Sequence, residues 1–261
     1  MLRSELDKFL SNISATQSIN YQLATHLKKY KNNYLPTLRE SFMGSTLVMG
    51  DLTGPSDNGW KLNYPTGFTN SIGLPEMPSN IDILISREGM RNFATAYEIL
   101  ESYFFDITAT YLKLNPSLII HAKKIENLNG NLKDQIRLYR GKNNKELFKL
   151  IRKICPSFKT AETQNTANIN LKEWYIMISH VRHAIVHSLF RLNFRKVNLT
   201  KYQKQLLDQY FSYNLNDNIA ELRLSYEQAN RSLVMIAEFG FLLFKSFSIE
   251  MDKDWRIFAD M

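Results

Sequence analysis

Apolar residues recur every three or four positions along most of this chain, and this spacing restricts its fold more than any other feature. Such spacing gives a helix one apolar face, which must be buried against other helices. The segment from Tyr226 to Phe247 is the most hydrophobic, and the segment from Ser86, which ends before Pro116, has the pattern of a long amphipathic helix. The apolar positions of this second segment are Met90, Phe93, Tyr97, Leu100, Phe104, Ile107 and Tyr111. The sequence therefore predicts an all-α fold, with the Tyr226–Phe247 helix deep in the core.

Helix boundary signals extend this prediction to the rest of the chain. Asn170 is a suitable N-cap for a helix that we expect to continue through Leu189. The polar residues 157–168 lack periodicity and are expected to form a loop. Further helices are predicted over residues 2–33, 119–128, 133–140, 144–154 and 200–210.

Two segments depart from helical periodicity. Residues 44–78 hold 6 of the 10 glycines and 4 of the 7 prolines, which favours turns, short strands or an ordered excursion. Tyr210–Asn214 and Ile219–Leu224 are expected to be two strands of a small β-hairpin. We therefore divide the chain into an N-terminal helical segment, a Gly/Pro-rich insertion, a helical domain and a C-terminal tail, which cover residues 1–43, 44–85, 86–250 and 251–261.

Composition limits the class of protein. A hydrophobic content of 44% excludes intrinsic disorder, and Cys155, the single cysteine, cannot form an internal disulfide. The first residues, MLRSELDKFL, carry charges where a signal peptide needs an apolar run. The longest apolar stretch, Ser232–Phe244, contains Glu238 and is too short to span a bilayer. We expect a cytoplasmic protein without a membrane segment.

Positive charge is concentrated in the middle of the chain. Residues 117–207 contain 18 Lys/Arg and 5 Asp/Glu, which leaves 15 Lys/Arg and 20 Asp/Glu elsewhere, and Trp174–Leu207 has no acidic residue. A basic segment of this kind is typical of a surface that binds a polyanion such as RNA. A solvated Lys-rich helix surface without a partner is the alternative.

Three histidines lie on one face of the helix that begins at Asn170. At about 100° per residue, His180, His183 and His187 lie opposite the apolar stripe, together with Arg191, whereas Arg182 lies at the border of that stripe. His183 and His187 have the spacing of two zinc ligands. However, position 184 is Ala, where a metalloprotease helix has a glutamate. A solvated polar face or a dimer surface is a second interpretation.

A third interpretation comes from residues 182–187, which have the sequence Arg-His-Ala-Ile-Val-His. This sequence resembles the Arg-polar-x-x-x-His signature of the HEPN superfamily, an all-α group with many metal-independent ribonucleases. The resemblance covers residues 86–250 as a helix pattern and 182–187 as a motif. HEPN toxins often have a tyrosine two residues after the motif histidine, where this chain has Leu189.

The resemblance implies a HEPN-like helical bundle and a role for each motif residue. His187 would transfer protons, Arg182 would clamp a phosphate, and His183 would orient the site or contact phosphate. Outside the motif, His180, Arg191 and Arg195 of the basic segment are expected to contribute to RNA binding. No metal and no cofactor would be needed.

Two functions follow as expectations. The first is a homodimeric endoribonuclease that cleaves RNA by 2′-hydroxyl attack in a composite site, in a prokaryotic toxin or antiviral defence setting with an antitoxin or sensor protein as a further partner. The second is a non-catalytic HEPN-like module that binds a nucleotide, RNA or protein.

Overall fold

The computed structural model describes residues 1–39, 42–50, 63–125, 131–141 and 144–256. In this part of the chain most residues are helical, as the periodicity predicts. The α-helices are α1 (Leu2–Lys29), α2 (Met77–Leu114), α3 (Leu132–Arg137), α4 (Lys145–Ile154), α5 (Pro156–Ala161), α6 (Leu171–His187), α7 (Phe194–Val197), α8 (Lys201–Tyr210) and α9 (Tyr226–Glu250). The strands are β1 (Phe42–Gly50), β2 (Asn63–Gly73), β3 (Arg191–Asn193), β4 (Ser212–Asn216) and β5 (Ile219–Arg223).

The chain forms two compact units. One unit contains residues 1–21 and 86–261, and the other contains residues 22–85. The N-terminal helical segment that we expected at residues 1–43 is therefore divided between the two units.

Aromatic side chains form the centre of the larger unit. The ring of Phe239 on α9 meets that of Phe104 on α2 edge to face, with centroids 5.1 Å apart. Tyr175 on α6 stacks on Phe104 at 5.8 Å and meets Phe148 on α4 at 5.1 Å. All four side chains are fully buried, and rings of this size contribute strongly to the hydrophobic stabilisation of a core. This cluster holds α2, α4, α6 and α9 together.

Helix α6 begins and ends at identifiable signals. The Asn170 side chain accepts a hydrogen bond from the Glu173 amide, which confirms the predicted N-cap. The helix ends at His187, and the prediction that it continues through Leu189 is wrong. Leu189 and Phe190 have φ values of 50° and 66°, so the backbone turns away into β3.

A three-stranded sheet in the order β3-β5-β4 lies in the same unit. Strands β4 and β5 form the predicted hairpin, with Asp217 in the left-handed region at its turn. The first strand begins at Ser212 and not at Tyr210, because Tyr210 is the last residue of α8. Strand β3, which the sequence did not indicate, pairs with β5 from the other side.

The smaller unit contains an antiparallel hairpin of β1 and β2 with an irregularity between Thr46 and Val48. Short strands were one of the forms expected for the Gly/Pro-rich insertion, whose central residues 51–62 lie outside the described residues. Helix α2 begins at Met77, earlier than the predicted Ser86, because Met77 and Ile81 already provide buried apolar positions.

Two other predicted boundaries are wrong. Residues 157–168 are not one loop, since the six-residue helix α5 begins at Pro156, a residue suited to the first turn of a helix. The helix predicted for residues 119–128 does not begin as expected, because residues 116–121 form a 3₁₀-helix. Residues 126–128 lie outside the described range.

Helix α9 is long and apolar enough to cross a membrane, and no other helix among the described residues meets that criterion. However, 61% of its apolar window is buried inside the fold, which is typical of a core helix.

Candidate functional site

A cleft of about 920 Å³ runs along α6 in the larger unit. Its wall on α6 consists of residues at helical spacing, from Lys172 through Ile176 and Ser179 to His183. At 1.5 Å per residue, Lys172 and His183 are about 17 Å apart along the helix axis. A cleft of this length can hold several units of a polymer.

The cleft is strongly basic. Its lining includes two carboxylates, from Glu101 and Glu173, and more cationic side chains. A surplus of positive charge on a concave surface attracts and concentrates polyanions. The cationic residues that line it are Arg140, Lys145, Lys172, Arg182, Arg191 and Lys196.

The structure brings two of the three histidines to this cleft. His180 and His183 line it, whereas His187 lies beside it, and its ring centroid is 4.8 Å from that of His183. The side chains of His183 and His187 are exposed, as expected for the face opposite the core. Within the described ranges, no group of three or more His, Cys, Asp or Glu residues is arranged to hold a metal ion.

Arg182 lines the cleft but already has an acidic partner. Its guanidinium forms an ion pair with Glu98 on α2, and its side chain is 26% exposed. The Nε atom is buried and has no hydrogen-bond partner among the described residues. No acidic residue lies near Arg182 in the sequence, and the packing of α2 against α6 brings Glu98 to it.

The remaining predicted RNA-binding residues differ in position. Arg191 is exposed and lines the cleft, whereas Arg195 is exposed and lies outside the lining. The Asn218 side chain, oriented with its oxygen towards Arg195, accepts hydrogen bonds from Nε and Nη2 at 3.0 Å. Arg195 is thus tied to the turn between β4 and β5.

Beside the middle of α6 the cleft borders on a buried polar network that was not predicted from the sequence. Tyr97 donates to the Tyr175 hydroxyl at 3.0 Å, and Asn144 Nδ2 donates to the same hydroxyl at 2.5 Å. Asn144 Nδ2 also donates to Glu101 Oε1 at 2.8 Å, and Arg140 forms an ion pair with Glu101. Burial raises the pKa of both tyrosines, so their hydroxyls stay protonated.

A second, smaller polar group lies on the α6 and α8 side of the cleft. Gln203 donates to Glu173 Oε2 at 2.8 Å, and Lys172 approaches Glu173 Oε1 at 3.8 Å. Gln203 is itself fixed by a capping box with Thr200 at the start of α8. Each carboxylate of the cleft is therefore held in place by neighbouring donors.

Comparison with protein-family models, with curated proteins and with solved structures finds no significant match to this chain.

Proposed function

We propose that this protein is a metal-independent endoribonuclease of HEPN type. The observation that carries the proposal is the position of the motif, since Arg182 and His183 line a basic cleft and the His187 ring is exposed beside His183. A cleft with this charge favours a nucleic-acid backbone, and the motif residues supply the groups that RNA cleavage needs.

The proposed reaction is an internal transesterification. The 2′-oxygen of a ribose attacks the adjacent phosphorus and forms the 2′-O–P bond, while the P–O5′ bond breaks. The 2′-hydroxyl gives its proton to a base, and the 5′-oxygen takes a proton from an acid, so the products are a 2′,3′-cyclic phosphate and a 5′-hydroxyl. Imidazoles can act as either proton carrier near neutral pH.

His187 has the role of proton carrier in this proposal, and Arg182 has the role of phosphate clamp. A guanidinium remains charged and donates to two phosphate oxygens at once, which stabilises the negative charge that builds up on the phosphorane. His183, within ring contact of His187, orients that imidazole or contacts a phosphate oxygen. His180 and Arg191 lie along the same cleft and hold the RNA backbone.

The second proton carrier is proposed to come from a second copy of the chain. Val186 and Leu189 are 47% and 79% exposed on either side of His187, an apolar surface that a partner would cover. A two-fold axis at this surface would bring two copies of the motif together from a single sequence. A prokaryotic toxin or antiviral defence system, with an antitoxin or sensor protein that controls the enzyme, is the proposed cytoplasmic setting.

One observation favours the non-catalytic alternative. Glu98 forms an ion pair with the Arg182 guanidinium, so a phosphate must displace the Glu98 carboxylate before Arg182 can act as a clamp. A module that binds RNA or protein through the same cleft, without cleaving RNA, does not need that exchange.

Cleavage of a structured RNA by the purified protein in excess EDTA tests the proposal. Arg182→Ala and His187→Ala should each lower the rate by at least about 100-fold. His121→Ala and Arg137→Ala are matched controls, because both residues are exposed and lie outside the cleft. Both controls should cleave at the wild-type rate.

The product ends and the outcome in EDTA separate the alternatives. Products with 2′,3′-cyclic phosphate, made by the wild type and the controls alone, would support the enzyme. Cleavage that stops in EDTA and returns with zinc would replace this mechanism with a metal site on the histidines. Binding of RNA without cleavage would favour the non-catalytic module.

A further inference from the structure

Two hydrogen-bond acceptors that the proposed cleavage chemistry does not use lie next to each other at the cleft. Glu101 Oε1 is hydrogen bonded to Asn144 Nδ2 at 2.8 Å, and the Glu101 side chain is 15% exposed. The other amide atom, Asn144 Oδ1, is buried and has no partner within the part of the chain that the structure describes. Asn144 is only 1% exposed, yet it forms part of the cleft lining.

An acceptor of this kind is unusual in a cleft that binds phosphate. A carboxylate repels a phosphate, and a buried carbonyl oxygen without a donor costs about 1–3 kcal/mol in a folded protein. Both features are explained by a ligand that brings hydrogen-bond donors to Glu101 and Asn144. The nucleotide groups that carry such donors are the bases.

We propose that Glu101, Asn144 and Arg140 form a subsite for a guanine base of the bound RNA. The Watson–Crick edge of guanine has an acceptor, O6, followed by two donors, N1–H and the N2 amino group. The complementary set consists of a donor from the Arg140 guanidinium, which pairs with Glu101 in the unbound protein, and of acceptors from Glu101 and the buried Asn144 Oδ1. This inference deepens the proposed function and depends on it for the identity of the polymer.

The other bases fit this set less well. Adenine has one donor group on that edge, and cytosine has one donor beside two acceptors. Uracil has a single N–H between two carbonyl oxygens. Any of these would leave an acceptor of the protein facing an acceptor of the base or facing nothing, which costs binding free energy.

The subsite is held rigid before any ligand binds. Asn144 has a left-handed backbone, with φ of 54°, immediately before α4, and its Nδ2 is fixed by Glu101 and Tyr175. Tyr175 is fully buried in the aromatic core and accepts a further hydrogen bond from Tyr97. Preorganised acceptors lose little freedom on binding, so discrimination between bases is efficient.

Recognition of an edge that is paired in a duplex requires an unpaired base. We therefore expect single-stranded RNA, with the guanine turned out of the stack and its backbone along the cationic side chains near Arg182 and Arg191.

Fluorescence anisotropy with labelled RNAs of about ten nucleotides tests the inference. The probes are oligouridine and the same oligouridine with one central guanosine. The wild-type protein should bind the guanosine probe at least about tenfold more tightly. Glu101→Gln should reduce this preference to less than about threefold, while the affinity for oligouridine stays the same or increases.

Glu173→Gln is the matched control, because it removes one negative charge from the same cleft and the Glu173 carboxylate contacts Gln203 and Lys172 instead of the subsite residues. It should keep the guanosine preference, and circular dichroism should show both variants folded. Loss of the preference in both variants would mean that charge alone is responsible and would overturn the subsite.

A third measurement separates this inference from the proposed function. Calorimetry with the mononucleotides GMP and UMP tests the subsite without any cleavage. Preference for GMP that disappears in Glu101→Gln would support the subsite even if the protein cleaves no RNA. Equal binding of the two RNA probes by the wild type would overturn the subsite and leave the ribonuclease proposal intact.

Discussion

Replacement of Gly240 by alanine tests the packing between α1 and α9 in the larger unit. A Cβ at this position would lie 2.3 Å from Cε1 and 2.6 Å from Cζ of Phe9. Optimal carbon–carbon contacts lie at about 3.5–4.0 Å, so the ring would have to move by more than about 1 Å. The ring is only 2% exposed and stacks on Tyr103 with centroids 4.3 Å apart, which blocks that movement.

Two opposing terms give the expected size of the effect. Alanine favours a helix interior over glycine by about 1 kcal/mol. Overpacking of a well-filled core costs about 1–3 kcal/mol, and the 2.3 Å contact points to the upper part of that range. Gly240→Ala should therefore lower the free energy of unfolding by about 1–2 kcal/mol.

Urea unfolding followed by far-ultraviolet circular dichroism measures this difference. Gly89→Ala is the matched control, because its Cβ would meet one methyl group, that of Ala229, at 3.0 Å, and the change should be close to neutral. In a Phe9→Leu background, Gly240→Ala should cost less, because the ring that it meets is gone. A Gly240→Ala protein as stable as the wild type would refute the reasoning.

Four buried groups give three further expectations. Glu162→Gln breaks the ion pair in which both carboxylate oxygens of Glu162, a side chain 2% exposed, accept from Arg152. Urea unfolding should show that the free energy of unfolding falls by about 2 kcal/mol. A decrease of less than about 0.5 kcal/mol would contradict this expectation. Burial raises the pKa of the Cys155 thiol to about 12, so iodoacetamide should label the native protein at about pH 8 far more slowly than the unfolded protein, and equal rates would contradict the burial. Burial also raises the pKa of Tyr103 and Tyr175 in the folded state. Their contribution to stability is therefore complete below the unfolded-state pKa of about 10 and is lost as the pH rises above it. In an alkaline titration, the tyrosinate absorbance of these two residues should appear only when the protein unfolds, and ionisation before unfolding would contradict this expectation.

Features with local causes could be predicted from the sequence. The Tyr226 start of α9, the Asn170 cap and the β4–β5 hairpin each depend on residues within one element or one turn. The same holds for the face of α6 that carries His183 and His187, since helical spacing alone determines it.

Features created by packing could not be predicted in the same way. Strand β3 is three residues long and exists because β5, more than twenty residues later, offers it hydrogen bonds. Glu98 reaches Arg182 from another helix, and Asn144 gains its partners only when α2, α4 and α6 meet. The basic character of the cleft was visible in the sequence as a charge bias, whereas the Glu101 carboxylate comes from α2, outside the basic segment.

The two walls of the cleft have different structural origins, and this separation affects how the protein can evolve. His183 and Arg182 belong to one continuous helix whose backbone fixes their spacing, whereas Arg140 and Asn144 lie in the connection that leads into α4. Substitutions in that connection can change which ligand fits the cleft without moving the groups on α6. Related chains can therefore diverge in ligand preference while they retain the same motif helix.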